Sequence, residues 1–244
     1  MWITNEKESH VDVALQLDTI FRRQKRLVVF DMDSTLIYQE CIDELAREAG
    51  VYNEIAPITE SAMRGEIDFN QSLRKRVGLL KGQSVDLIET VKNRITFTKG
   101  AKELCKVLKR LGYKLAVLSG GFIPMANLVK NTLDLDYAFA NVLEISKDGK
   151  TLTGNVVGEI VNGERKAELL SVIAQAEKIE SNQIFAIGDG ANDLLMMRAA
   201  GCGIAFNAKP KVQQQASIRL NQPSLINVLY FLGYSSTEIN QLLQ

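Results

Sequence analysis

Histidine is almost missing from this chain: His10 is the only one in 244 residues. That scarcity excludes histidine-nucleophile phosphatases, Ser-His-Asp hydrolases and multi-histidine zinc sites, all of which need imidazoles that are not there. Cysteine is nearly as sparse. Cys41, Cys105 and Cys202 are odd in number and widely spaced, which fits reduced thiols in helices or core rather than a disulfide frame. No apolar run reaches the roughly 18 residues of a membrane span, and the charged start MWITNEKESH lacks the apolar stretch of a signal peptide. A cytoplasmic protein is expected. Net charge is absent too: Lys plus Arg and Asp plus Glu both total 29, leaving no global field for nucleic acid or an anionic membrane. A Walker A glycine-lysine loop is also lacking, against an ATP-driven motor. Partners and chemistry therefore have to be read from local sites, and carboxylates must carry the chemistry.

What is present is enough apolar material for a full core, 46% of the residues. The most informative stretch is LVVFDMDSTLI, residues 27–37. A β-branched apolar run reads as a buried parallel strand, and it ends by delivering Asp31 and Asp33 into Ser34 and Thr35. Hard oxygen donors at a strand end suit Mg2+. An aspartate with a second acid two residues on also suits nucleophilic attack on phosphorus with protonation of the leaving group. A capping or turn pair is the alternative.

Residues 9–26 show helical spacing at Val13, Leu17, Ile20 and Phe21, with Ser9 as N-cap and a solvated basic run from Arg22 to Arg26. From Gln39 to Asn93 the pattern is helical throughout. Its four pieces break near Gly50, Gly65 and Gly82, and the last is capped by Ser84. Inserted just after the first strand, this block reads as a small helical cap. Beyond it helix and strand alternate, the signature of a parallel sheet covered on both faces. Residues 139–161 read as an edge hairpin turning at Asp148-Gly149, and the tail as two short helices divided by Gly233. The expected architecture is thus α/β: a Rossmann-like parallel sheet flanked by helices, with an inserted helical-bundle cap and an edge β-hairpin. Its expected parts are an N-terminal helical extension (1–26), a core (27–38 and 94–244) and the cap (39–93).

Two further strand ends carry polar loops. Lys114–Leu118 empties into Ser119, Gly120 and Gly121, where bare amides and a hydroxyl can approach a phosphate; a plain strand-to-helix turn is the alternative. IFAIGDGANDLLMM presents Asp189, Gly190, Asn192 and Asp193, with Asp189 and Asp193 on one face if a helix starts there. Lys166 is either a surface residue or a point charge for a transferring phosphoryl group. Cys41 to Arg47 matches the cysteine-x5-arginine pattern of thiolate phosphatases. The intervening IDELA is helix-forming and doubly acidic, which would repel phosphate and tie up the amides.

DMDST, SGG, Lys166 and GDGAND occur in the order found in the haloacid dehalogenase-like phosphatases, and the chain from Leu27 to about Tyr234 resembles their phosphoserine phosphatase family. The resemblance implies Mg2+-dependent hydrolysis of O-phospho-L-serine, the last step of serine biosynthesis. By it, Asp31 is the nucleophile and Asp33 the acid that protonates serine and then activates water. The metal set is Asp31, Asp33 through its main-chain carbonyl, Asp189 and Asp193. Ser119, Gly120 and Lys166 bind phosphoryl oxygens, Gly121 and Asn192 also belong to the substrate site with Asn192 supporting the metal, and Glu40, Met63, Phe69 and Arg76 recognise the substrate from the cap. Glu40 and Arg76 pair an acid and a guanidinium with the ammonium and carboxylate of an amino acid. Cap motion is expected about hinges near Ile37–Gln39 and Thr96–Gly100. No nucleic acid or membrane partner, no serine feedback through an added regulatory domain, and a monomer or homodimer are also expected. A phosphotransferase with an alcohol acceptor such as homoserine, a broader phosphomonoesterase and a non-catalytic phosphate-binding module remain as alternatives; a dehalogenase attacking carbon would need neither Asp33 nor the metal set.

Overall fold

The computed structural model describes residues 11–16, 18–63 and 66–244. Seven strands form one sheet: β1 (Leu27–Phe30), β2 (Lys114–Phe122), β3 (Tyr137–Ile145), β4 (Leu152–Val157), β5 (Ile184–Gly188), β6 (Cys202–Phe206) and β7 (Ile218–Leu220). Their order is β4-β3-β2-β1-β5-β6-β7. All neighbours are parallel except β3 and β4, whose antiparallel pairing makes the expected edge hairpin. β1 sits in the middle with Leu27 opposite Lys114 on one side and Ile184 on the other. None of its four residues has exposed surface. Each such buried side chain contributes about 1.5–3 kcal/mol, so this short strand is fixed in position by its neighbours.

The helices follow in chain order: α1 (Ile20–Arg23), α2 (Cys41–Glu48), α3 (Tyr52–Met63), α4 (Phe69–Gly78), α5 (Asp86–Lys92), α6 (Ala101–Arg110), α7 (Ile123–Leu133), α8 (Gly163–Glu177), α9 (Leu194–Ala199), α10 (Pro210–Gln213), α11 (Val228–Phe231) and α12 (Ser236–Leu243). Two apolar layers cover the sheet. One contains Val28, Phe30, Leu104 and Val129 and continues into Leu45, Leu73 and Val91 of the helices between β1 and β2. The other packs Leu27 and Val29 against Leu169, Leu170 and Ile173 of α8. Among the described residues no helix is long and apolar enough to cross a membrane.

The N-terminal expectation is corrected. Ser9 and Leu17 lie outside the described residues, but 11–16, 18 and 19 are not helical, and among the described residues before β1 the only helix is the four-residue α1. Val11, Val13 and Leu15 are exposed while Ala14 between them packs against the core, an alternation of period two that an extended segment gives and a helix does not. The basic run is not wholly solvated either. Lys25 is buried, its Nζ donating to the Asn182 carbonyl at 2.5 Å and lying 5.1 Å from the centre of the Phe185 ring; burial lowers its pKa.

The chain enters and leaves the α2–α5 block through two segments bound to each other. Ile37 and Phe97 form an antiparallel bridge, Thr98 N–H donates to Leu36 O at 3.0 Å and Tyr38 N–H to Thr96 O at 3.1 Å. Gln39 braces them: its Nε2 donates to Arg94 O (3.1 Å) and Thr96 Oγ1 (2.8 Å), and its Oε1 accepts from Thr96 N–H at 3.0 Å. At about 0.5–1.5 kcal/mol per bond, Gln39→Ala is expected to lower stability by about 1–2 kcal/mol; chemical denaturation monitored by circular dichroism checks this.

Candidate active site

β1 and β5 end side by side, because Asp31 N–H donates to Ile187 O at 2.8 Å. The polar residues that follow them therefore meet. Met32 to Leu36 close a tight loop in which Ile37 N–H returns to Met32 O and Ser34 takes φ 55. Asp31 Oδ1 accepts from Met32 N–H at 2.8 Å and from Lys166 Nζ at 2.7 Å. The same Nζ donates to Asp193 Oδ1 at 2.7 Å, and Asp193 Oδ2 accepts from Gly190 N–H at 3.0 Å. Lys166 has no exposed surface. Burial alone would lower its pKa, yet Asp193 and Asp31 together raise it above the usual lysine value, so it is an ammonium. Its place is set by α8, whose N-cap Asn162 accepts from Arg165 N–H.

Lys166 resolves as the internal cation, not the surface residue. The loop after β5 departs from the helical expectation: Ala191–Asp193 is a 3₁₀ turn and α9 starts only at Leu194. Asp189 and Asp193 therefore do not share a face of one helix; they meet because Asp193 folds back on Gly190. Oxygens of Asp31, Asp189 and Asp193 lie within 4.8 Å of one another. Thr35 Oγ1 donates to Asp189 Oδ1 at 3.3 Å. Burial first, then Asp31 and Asp193, push the Asp189 carboxyl up to about 8. Asp193 is raised by burial and Asp31 as well. Three crowded oxygen donors with no nitrogen or sulfur among them fit a hard divalent cation, whose charge would relieve this repulsion. The Asp33 carboxylate is not part of this side-chain cluster.

Asp33 faces the start of α2 instead. Its Oδ2 accepts from Cys41 N–H, the start of α2, at 3.1 Å, while Oδ1 is buried without a hydrogen-bond partner. Burial, then Glu40 and Asp31, push its pKa up to about 8, a shift toward the protonated acid, and Oδ1 is the oxygen with no protein partner to compete for the proton. Burial also raises the Cys41 thiol well above its usual value. Together with its seat on α2, this rules the cysteine-x5-arginine match out as a thiolate site.

Glu40 Oε1 accepts from Ser34 Oγ at 2.7 Å. Arg76, on α4, is partly buried; burial lowers its pKa, and Asp43, Glu40 and Asp33 oppose that shift. Its Nε contacts Ser72 O at 3.4 Å, leaving the end of the guanidinium for another partner. The side chain of Met63 lies outside the described residues. Phe69 crosses from α4 onto the glycine pair near the end of β2: a Cβ on Gly120 would stand 2.8 Å from Phe69 Cζ and 3.8 Å from Asn192 Nδ2. One on Gly121 would stand 3.0 Å from Ser119 Oγ and 3.2 Å from Asp33 Oδ2. Ser119 is buried and its Oγ accepts from Gly121 N–H at 2.8 Å. Strand β2 runs through this glycine pair with a register shift between Leu118 and Phe122, instead of stopping at Leu118.

Sequence reasoning missed the second layer. Asn141 on β3 is 1% exposed; its Nδ2 donates to Gly120 O at 2.8 Å and its Oδ1 accepts from Val161 N–H at 2.9 Å. Ser34 and Thr35 likewise aim Glu40 and Asp189. A buried asparagine inside an apolar strand was the available signal, because such a residue must satisfy its amide somewhere.

Removing the ammonium leaves Asp31 and Asp193 facing each other unneutralised. Lys166→Met is expected to lower stability by about 3–5 kcal/mol, with partial recovery on adding a divalent cation, measured by thermal unfolding with chelator and with excess Mg2+.

A family model described as haloacid dehalogenase-like hydrolase matches residues 25–201. A probable phosphoserine phosphatase of Schizosaccharomyces pombe is 57% identical over 235 residues, 96% of this chain and 79% of the relative. Among solved structures, a phospho-aspartyl intermediate analogue of phosphoserine phosphatase superposes with TM-score 0.79 at 50% identity, covering 85% of this chain and 99% of the other. A substrate-bound phosphoserine phosphatase complex gives TM-score 0.79 at 49% identity, covering 85% and 98%. Likeness of this extent in sequence and backbone carries the resemblance through the whole core, and the chain belongs to the haloacid dehalogenase-like hydrolases, on their phosphoserine phosphatase branch.

Proposed function

We propose that this protein is a Mg2+-dependent phosphatase that hydrolyses O-phospho-L-serine to L-serine and phosphate through an aspartyl-phosphate on Asp31. The observation behind the reading is the buried meeting of Asp31, Asp33, Lys166, Asp189 and Asp193 at the ends of β1 and β5, with α4 bringing Phe69 onto the Gly120 loop beside them. The similar structures support it, one being a phospho-aspartyl analogue and another a substrate complex.

In this reading Asp31 Oδ1 is held by Lys166 and Met32 N–H, which leaves Oδ2 to attack phosphorus. The new bond forms at Oδ2 as the bond to the serine oxygen breaks, and Asp33 gives its proton to that oxygen. Asp33, now a carboxylate, takes a proton from water, whose oxygen attacks the phosphoryl group and frees Asp31 and phosphate. Negative charge spreads over the phosphoryl oxygens, so stabilisation is the larger task. Lys166, the Ser119 hydroxyl held by Gly121 N–H, the Gly120 amide and Asn192 supply it. Asp31, Asp189, Asp193 and the Asp33 carbonyl would hold Mg2+, which when bound adds charge neutralisation. Glu40, steadied by Ser34, takes the substrate ammonium, Arg76 its carboxylate, and Phe69 closes over the rest. Residues 39–93 act as the cap over the core. Three buried, unpaired thiols accord with a reducing, cytoplasmic setting, and a monomer or homodimer suffices.

Phosphate release from O-phospho-L-serine, O-phosphothreonine and an aryl phosphate tests this directly. Asp31→Asn is expected to abolish turnover on all three; residual turnover above about 1% of wild type would sink its assignment as nucleophile. Arg76→Ala is expected to raise KM for phosphoserine by roughly 10–100-fold while sparing the aryl phosphate, and equal losses on both would remove its role. Chelation of divalent cations is expected to stop turnover and lower Tm, both restored by Mg2+.

A further inference from the structure

The helix bearing Phe69 and Arg76 is held in two different ways at its two ends. Past its C-terminal end the main chain joins the sheet: Gly82 N–H donates to Leu152 O at 2.8 Å, Leu152 N–H to Gln83 O at 2.9 Å and Val85 N–H to Lys150 O at 3.0 Å. Ser84 and Thr151 form a bridge there, so residues 82–85 act as a short extra strand beside β4. Backbone ladders of this kind do not open independently of the sheet. The N-terminal end rests on side chains. Phe69 packs on Gly120, and Asn162 Nδ2 donates to Asn70 Oδ1 at 3.2 Å. The other end of the same Asn162 amide caps α8, the helix that presents Lys166. A cavity of about 270 Å³ lies along this seam, lined in part by Asn70, Arg74, Asn162 and Arg165. Water there can replace either amide, which makes the bond easy to break and re-form.

We propose that Asn70 and Asn162 are the latch of the cap: α4 pivots on its anchored end near Gly82–Val85, and opening parts Asn70 from Asn162 and lifts Phe69 off Gly120. This rests on the reading that α4 covers the site. The pivot then lies at the edge hairpin and not in the linkers at residues 37–39 and 96–100. As positioning residues, the two amides set the fraction of closed protein and hence substrate affinity, without touching the reacting atoms.

Two variants separate latch from cap. Asn70→Ala removes the acceptor and leaves α8 alone. Asn162→Ser keeps a good N-cap but is too short to reach Asn70. The first readout is hydrogen exchange at the amides of residues 71–73 in the resting protein, and the second is KM against kcat for phosphoserine. One net hydrogen bond corresponds to about a fivefold change. Each single variant is expected to exchange about fivefold faster there, with KM raised by about the same factor and kcat not lowered. The double variant is expected to match the singles, because the second change removes nothing further. Unchanged exchange in both singles, multiplicative effects in the double variant, or a fall in kcat with α4 exchange unaltered would overturn the latch; the last would reduce Asn162 to a cap of α8. Exchange is measured without substrate, so it decides the latch even if phosphoserine proves to be the wrong substrate.

Discussion

One ammonium group between two carboxylates holds this site together. Lys166 Nζ reaches Asp31 and Asp193 at 2.7 Å each, with none of the three more than slightly exposed. Ion pairs removed from water cost about as much in desolvation as they return, so this one is weak support for stability. Its value is geometric. Five ionisable groups drawn from two separate strand ends and one helix must share a small volume, and the buried cation makes that crowding tolerable while fixing which Asp31 oxygen is occupied.

The sheet order explains how such distant residues meet. β1 lies between β2 and β5, so the chain turns to opposite sides on leaving it, and a crevice opens beyond the carboxyl ends of the strands where this reversal occurs. The acids follow β1 and β5, and the serine and glycine pair end β2. Asn141 adds a tie from β3, joining the Gly120 carbonyl to the amide just before the Lys166 helix. A phosphate-sized anion would thus meet donors whose positions all derive from one hydrogen-bonded ladder. That is the pre-organisation that catalysis by charge stabilisation requires.

Much of this was legible in the residues. A fully buried strand writes itself as a short apolar run, so Asp31, Asp33 and Asp189 are placed at strand ends by their residues alone, whereas Ser119 lies inside β2. The four helices after β1 and the edge hairpin were legible from glycine breaks and the Asp-Gly turn. Lys166 was balanced between surface and site, because a lysine on an amphipathic helix reads alike in both settings and only the topology brings it beneath two aspartates. The partners of Ser34, Thr35 and Asn141 were not legible, since a polar side chain does not name the distant group it will meet. The expected N-terminal helix failed for the converse reason: Val13 and Ile20 carry helical spacing but are exposed, and it is Ala14 that packs against the core. Lys25 erred the other way, drawn inward by a carbonyl and an aromatic ring.

The neck formed by residues 37–39 and 94–98 has a consequence for how this architecture diversifies. Entry and exit of the α2–α5 block lie beside one another and are bonded mainly to each other. The β1–β2 pairing therefore hardly registers what is strung between them. An insert of another size or shape, ending in the same two crossed segments, would leave Asp31, Asp189, Asp193 and Lys166 where they are, while Asp33, which accepts from Cys41 N–H of the insert, would meet new neighbours. Selectivity and this buried centre are on this account separately heritable, and a lineage can exchange the first without rebuilding the second.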